Sequence, residues 1–228
     1  MQARDRLIIA ADLSSPEEIL RLAGDLEGIA GALKIGLQAF VANGPALVKD
    51  VMAAGHRVFL DLKLHDIPNT VRHAVVEAEK LGVAMLTVHA AGGRAMLDAA
   101  RSDRTLVLAV TVLTSLEDED LAALGMNGGT AASAVRLARL ARESSIRGVV
   151  ASPLEIALIR ESCGPEMTIV TPGIRPAGSA RGDQRRTMTP GEALRAGADY
   201  IVVGRPVTAA ADRRGAALRL VDEMERAG

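Results

Sequence analysis

The residues best suited to chemistry in this sequence lie in the segment Asp61-Leu62-Lys63-Leu64-His65-Asp66. An ammonium group between two carboxylates can stabilise a developing negative charge and can also donate a proton. Flanking carboxylates favour the charged form of a lysine, which suits a proton donor and disfavours a Schiff-base nucleophile. Asp12 follows an earlier apolar run and Lys34 lies within another, so a second pair of opposite charges is available.

Eight short apolar runs alternate with helical stretches and must position these charges. The runs are Leu7–Ala11, Ala32–Ile35, Val58–Leu62, Met85–Val88, Leu106–Leu113, Val149–Ala151, Thr168–Val170 and Tyr200–Val203. Several are apolar on both faces, as expected of parallel strands that are covered on both sides. The pattern predicts an α/β fold, a closed (β/α)8 TIM barrel in a single domain over residues 1–228, in preference to an open doubly wound sheet.

The third run should carry its charges at the mouth of this barrel, where the chemistry of such folds is found. Residues two apart on a strand share a face, so Phe59, Asp61 and Lys63 are expected to point the same way. The leucines that alternate with them, Leu60, Leu62 and Leu64, should then face the helices. A structural ion-pair network is the alternative interpretation, but a salt bridge that serves only stability would more often lie on the helix surface.

Composition argues against several classes of function. The net charge is −1, with basic and acidic residues interleaved, and the aromatic residues number two Phe, one Tyr and no Trp. The sequence has neither a basic patch nor the aromatic residues on which bases could stack, so it does not favour a nucleic-acid partner. No apolar stretch is long enough to predict a membrane partner. The single Cys163 excludes an internal disulfide or a thiolate metal site, and it fits a cytoplasmic location.

The four histidines are not expected to take part in catalysis. His56 and His73 are predicted to lie at the surface, and His65 is not assigned a chemical role. His89 lies at the end of the fourth predicted strand, directly after the run Met85–Val88, and a structural hydrogen bond is the favoured interpretation.

Ten consecutive residues, Asp61-Leu62-Lys63-Leu64-His65-Asp66-Ile67-Pro68-Asn69-Thr70, resemble the signature of the orotidine 5′-monophosphate decarboxylase family in its bacterial form. Further blocks match the family in order: Lys34-Ile35-Gly36, Val110–Ser115, Val170–Pro176 with Gly182–Arg186, and Val203–Pro206. The resemblance covers nearly the whole chain. It implies conversion of orotidine 5′-monophosphate to UMP and CO2, the last step of de novo pyrimidine nucleotide biosynthesis, without a cofactor or metal.

The resemblance also implies catalytic roles. The family's alternating charged tetrad corresponds to Lys34, Asp61, Lys63 and Asp66, with Lys63 as the proton donor. Asp66 and Thr70 would reach into the neighbouring subunit, so the resemblance implies a homodimer with shared active sites.

Substrate-binding roles are implied in the same way. Asp12 and Lys34 would hold ribose hydroxyls, and Thr114 would contact the pyrimidine. The groups that would hold or cover the phosphate are Arg175, Gln184, Gly204 and Arg205. A solvated basic loop is the favoured interpretation for Arg181, Arg185 and Arg186. The segment 174–188 is expected to close over the bound phosphate.

Three alternatives stay open. An Mg²⁺-dependent phosphosugar decarboxylase or aldolase of the same suprafamily would share the Asp-x-Lys-x-x-Asp core, but it would lack the continuation Ile67–Thr70. A Schiff-base aldolase would use Lys63 as a nucleophile. A non-catalytic nucleotide-binding barrel is disfavoured because a pure binder has no need of a paired ammonium array.

Overall fold

Eight parallel strands close into a barrel in the computed structural model, which describes residues 1–176 and 187–227. Each strand pairs with the next along the chain, and the eighth pairs with the first. The strands are β1 Leu7–Ala10, β2 Ala32–Gly36, β3 Val58–Leu64, β4 Met85–His89, β5 Leu106–Val110, β6 Gly148–Val150, β7 Thr168–Thr171 and β8 Tyr200–Val203. The predicted (β/α)8 barrel is confirmed.

One short helix precedes β1, and at least one helix follows each strand to form the outer layer. They are α1 Ala3–Arg6, α2 Pro16–Asp25, α3 Leu37–Ala53, α4 Pro68–Leu81, α5 Gly93–Ala99, α6 Asp118–Ala123, α7 Gly129–Glu143, α8 Ile156–Cys163, α9 Pro190–Ala196, α10 Arg205–Thr208 and α11 Arg213–Glu225. Ser15 caps α2 by accepting a hydrogen bond from the Glu18 N–H at 3.2 Å, as its position before Pro16 predicts. In the described parts of the chain, no helix is both long enough and apolar enough to cross a bilayer.

The apolar residues form two layers separated by the sheet. The larger layer lies between strands and helices, and the smaller one fills the barrel interior. The interior residues are Ile8, Ala10, Ala32, Phe59, Met85, Leu108, Val170 and Val202. Gly148 leaves room for this packing, since a Cβ there would lie 2.5 Å from Leu108 Cδ2. The barrel is therefore a packed core below its mouth.

Two local features differ from the expectation. The fifth strand ends at Val110 rather than at Leu113, so the loop that carries Thr114 begins earlier than expected. The prediction that His56 lies at the surface is wrong: its side chain is buried, and its Nε2 lies 2.8 Å from the Ala23 carbonyl oxygen. The turn before β3 packs against α2, and the buried imidazole there requires a polar partner.

Candidate active site

Four charged side chains meet at the carboxyl ends of the first three strands. This charged cluster consists of Asp12, Lys34, Asp61 and Lys63. Lys34 Nζ lies 2.7 Å from Asp12 Oδ1 and 3.6 Å from Asp61 Oδ2, while Lys63 Nζ lies 2.8 Å from both Asp61 oxygens. Two ammonium groups and two carboxylates balance in charge, which makes the partial burial of the group tolerable.

Adjacent strands bring these residues together. Gly36 of β2 is opposite Asp61 of β3, and Lys34 is opposite Phe59. Gly36 also leaves space for the ion pair between Lys34 and Asp12. A Cβ at this position would lie 2.8 Å from Lys34 Nζ and 2.9 Å from Asp12 Oδ1. A glycine at the end of β2 is thus required for the observed position of Lys34.

Asp61 is the electrostatic centre of the cluster. Burial raises the pKa of its carboxyl group, but the ammonium groups of Lys34 and Lys63 and hydrogen bonds from Lys63 and Thr87 together hold that pKa below its ordinary value. Asp61 is therefore ionised at neutral pH. The pKa of the nearby His89 is lowered, first by burial and then by the charges of His65 and Lys63, so this imidazole is neutral.

An inner cavity of about 150 Å³ opens beside the cluster. Its walls include Lys34, Phe59, Asp61, Lys63, Thr114 and Pro172. The charged groups stand on the β2 and β3 side, whereas the rest of the wall is apolar apart from Thr114 and includes Val110, Val112 and Val202. Such a space suits a flat ring that presents one polar edge to the ammonium of Lys63.

An outer cavity of about 400 Å³ adjoins the inner one and shares Lys34, Pro172 and Val202 with it. Its lining also includes Asp12, Gly173, Arg175, Gly204 and Arg205. Burial lowers the pKa of Arg175, and the neighbouring Arg205 contributes to the same shift. Two guanidinium groups that face one space form a site for an anion, and their planar forks match phosphate oxygens.

The ends of the 174–188 segment lie side by side at the rim of the outer cavity. Ile174 and Met188 form a bridge, and the Arg175 N–H donates to the Met188 carbonyl oxygen at 3.0 Å. Gln184, together with Arg181, Arg185 and Arg186, lies outside the described residues. The predicted contact of Gln184 with phosphate stays a prediction.

The fold does not bring Asp66 and Thr70 to the cluster of their own chain. Both side chains are exposed, and Asp66 Oδ1 accepts a hydrogen bond from the Ile67 N–H at 2.6 Å. Across residues 1–176 and 187–227, neither residue makes an ion pair or hydrogen bond with Lys63.

Sequence reasoning did not identify Thr87 or the spacing role of Gly36. Thr87 lies fully buried in β4 and contacts both Asp61 and Lys63. The available signal was a hydroxyl in an otherwise apolar run, Met85–Val88. A buried hydroxyl requires a partner, although the sequence does not reveal which one.

The closed barrel, the charged cluster and the adjoining arginine pair define a (β/α)8-barrel enzyme with its site at the carboxyl ends of the strands. The chain belongs to the orotidine 5′-phosphate decarboxylase / HUMPS family, whose sequence profile matches residues 5–220.

Individual relatives agree with this assignment over almost their whole length. Orotidine 5′-phosphate decarboxylase from Moorella thermoacetica is 51% identical over 237 residues, covering 99% of this chain and 94% of the relative. The protein of the same name from Geobacter sulfurreducens is 48% identical and covers 98% of this chain and 97% of the relative.

A solved structure of orotidine 5′-phosphate decarboxylase from Lactobacillus acidophilus has a TM-score of 0.83 with 35% identity, and it covers 96% of this chain and 98% of its own.

Proposed function

We propose that this chain decarboxylates orotidine 5′-monophosphate to UMP and CO2, without a cofactor, as the last step of de novo pyrimidine nucleotide biosynthesis. The observation that carries the proposal is the Lys63 ammonium, which Asp61 holds at 2.8 Å beside the inner cavity. The names of the relatives, and the arginine pair placed one cavity away, support the same reaction.

The chemistry needs a fixed positive charge. When the bond from C6 to the carboxylate breaks, its electron pair stays on an sp² carbon with no adjacent carbonyl positioned to delocalise it, and CO2 leaves. The Lys63 ammonium would stabilise this carbanion and then transfer a proton to C6. Repulsion between Asp61 and the substrate carboxylate would add to the driving force.

Lys63 does not supply the whole rate enhancement. A unit charge pair at 4 Å contributes about 4 kcal/mol at an effective dielectric near 20, against the ~8–23 kcal/mol by which enzymes commonly lower barriers. Binding energy from the phosphate must contribute the remainder by organising the site.

The two cavities suit the parts of this substrate. The pyrimidine would occupy the inner cavity beside Thr114, and Asp12 and Lys34 at the junction would hold the ribose hydroxyls. The phosphate would occupy the outer cavity, held by Gly204, Arg205, Arg175 and, beyond the described residues, Gln184.

A second copy of the chain would complete each site with Asp66 and Thr70. The exposure of both residues supports this homodimer, as does an apolar surface nearby. Leu37, Val41 and Ile67 lie just beyond the carboxyl ends of β2 and β3 and are 54%, 81% and 66% exposed. A contiguous exposed apolar patch is typical of an interface between proteins, and these three side chains would contribute to one in the proposed homodimer.

We further propose that residues 1–228 act as a single domain in the cytoplasm. The buried, unpaired thiol of Cys163 supports a reducing location, because a chain with one cysteine needs no oxidising compartment to fold.

Turnover without metal is the experiment that tests the function. Orotidine 5′-monophosphate should be consumed in an ultraviolet absorbance assay after exhaustive dialysis against EDTA, because the charged cluster supplies the electrostatic stabilisation itself. Addition of Mg²⁺ should leave the rate unchanged. If EDTA abolished turnover and Mg²⁺ restored it, the assignment would move to the metal-dependent phosphosugar enzymes.

Replacement of Gly36 tests the proposed ribose site. The added methyl group of Gly36→Ala would displace Lys34 from Asp12, although the backbone at φ −91° accommodates alanine. We expect UMP to bind about tenfold more weakly, a loss of about 1.4 kcal/mol, as measured by isothermal titration calorimetry.

Gly24→Ala is the matched control for this substitution. A Cβ at Gly24 of α2 would meet nothing within 4 Å, so UMP affinity should not change. The protein should gain about 0.5–1 kcal/mol in stability, because alanine favours the helix. Equal UMP affinity in both variants would remove Lys34 and Asp12 from the ribose site.

A further inference from the structure

Thr87 of β4 lies opposite an irregularity in β3. Leu60 pairs with Leu86 and Leu64 pairs with Val88, so three residues of β3 face one residue of β4. Asp61 and Lys63 belong to this bulge. Bulges commonly redirect side chains near functional sites, and here the bulge contains both central charges of the cluster.

The hydroxyl of Thr87 holds the bulge at both ends. It accepts a hydrogen bond from the Lys63 N–H at 2.8 Å and donates one to Asp61 Oδ1 at 3.0 Å. The direction is settled by chemistry, since an amide only donates and an ionised carboxylate only accepts. Thr87 is fully buried, so water does not compete for either bond.

Lys63 needs such support because its backbone is in an unfavourable conformation. Its φ is 52°, in the left-handed region, and among the described residues only Ser145 is another non-glycine residue with positive φ. Side chains larger than hydrogen are disfavoured in this region, so the surrounding structure must hold the residue there. The Thr87 bond acts directly on the Lys63 amide.

We infer that Thr87 is a positioning residue for the reaction, acting through Lys63 and Asp61 rather than on the substrate. Its hydroxyl holds the Lys63 backbone in the left-handed conformation. It also orients the Asp61 carboxylate, which accepts hydrogen bonds from the Lys63 ammonium. Thr87 does not line either cavity of the site. The inference rests on the proposed function for its kinetic test, whereas titration of the Asp61 carboxyl group is independent of that function.

Thr87→Val removes the hydroxyl and retains the shape and the β-branch. We expect kcat to fall about 10- to 100-fold, the effect of losing a hydrogen bond to a charged group at a reacting centre. KM should change little because the arginine pair of the outer cavity is untouched. A substitution with a merely structural effect would not separate kcat from KM in this way.

The pH profile gives a second readout. The Thr87 bond is one of the interactions that lower the pKa of Asp61, so its removal should raise that pKa. The acid limb of kcat/KM, which reports groups of the free enzyme, should therefore move to higher pH. The other charged or titratable groups around Asp61 are unchanged in the variant: Asp12, Lys34, Lys63 and His89.

Restoring the hydroxyl should restore function. Thr87→Ser should recover most of kcat and the wild-type acid limb. If Thr87→Val did not fold, the pair Thr87→Ser and Thr87→Ala would replace it, because these two variants differ from each other only by the hydroxyl.

Thr105→Val is the matched control. Thr105 is also buried, and its Oγ1 donates to the Val83 carbonyl oxygen at 3.0 Å at the opposite end of the barrel. This variant should keep the wild-type kcat and pH profile. If the wild-type enzyme is active and Thr87→Val keeps the wild-type kcat and an unshifted acid limb, the positioning role of Thr87 is overturned. The proposed function would stand in that case.

A measurement without turnover separates the two claims. If the wild-type chain did not consume orotidine 5′-monophosphate, the proposed function would fail. The Asp61 carboxyl can still be titrated by ¹³C NMR in the wild type and in Thr87→Val. A higher Asp61 pKa in the variant would support the positioning role, and identical titration curves would overturn it.

Discussion

Lys63→Ala should abolish turnover of orotidine 5′-monophosphate by many orders of magnitude while UMP still binds. The substitution removes the only ammonium group that contacts both oxygens of Asp61 at the inner cavity in the described structure, and with it the proposed proton donor. UMP binding should persist because the arginine pair in the outer cavity remains. Single-turnover absorbance and calorimetric titration with UMP would measure the two effects separately.

Lys80→Ala provides the control for loss of a paired lysine. Lys80 lies 2.8 Å from Glu77 on the surface of α4 and is 65% exposed, so its removal should leave kcat unchanged. Retention of more than about a hundredth of kcat in Lys63→Ala, a loss of only ~2.7 kcal/mol, would exclude Lys63 as the proton donor.

Mixing two inactive variants should restore activity if subunits share their sites. Lys63→Ala and Asp66→Asn affect different halves of one site in the proposed dimer. A heterodimer would therefore contain one site with both lesions and one with neither. A two-fold interface uses the same surface on both subunits, so about a quarter of all sites should be wild type after random exchange.

The control mixture combines lesions that lie in the same half-site. Lys63 and Asp61 contact each other within one chain, so a mixture of Lys63→Ala with Asp61→Asn should remain inactive. Subunit exchange in both mixtures would be verified by native mass spectrometry with an isotope-labelled partner. If exchange were complete and the first mixture stayed inactive, Asp66 would act within its own chain and the shared-site proposal would fail.

Local patterns in the sequence were sufficient to predict the barrel. Each of the eight apolar runs became a strand, with ends displaced by only a few residues, because burial on two faces selects continuous apolar segments. Spacing also predicted that Asp61 and Lys63 lie on one side of β3, and their side chains do meet, although the strand is bulged there rather than regular. The wrong placement of His56 reflects the weakness of local patterns in turns, where packing between elements decides burial.

Contacts between elements depended on the tertiary structure. Local sequence patterns do not reveal which residues pair across two strands. This register places Lys34 Nζ 3.6 Å from Asp61 Oδ2 across β2 and β3. The bulge in β3 was equally hidden, since simple alternation predicts a regular strand up to Lys63.

The sequence alone thus predicted which charged residues lie at the ends of the strands and in what order they follow one another. Their geometry was decided by the pairing of adjacent strands in the folded sheet. A single buried hydroxyl of β4 meets the amide of Lys63 and the carboxylate of Asp61 because β3 pairs with β4 and bulges between Leu60 and Leu64. The physical reason is that periodicity indicates which face of a strand a residue occupies. The partner across the strand depends on register, which here includes a bulge that simple alternation does not show.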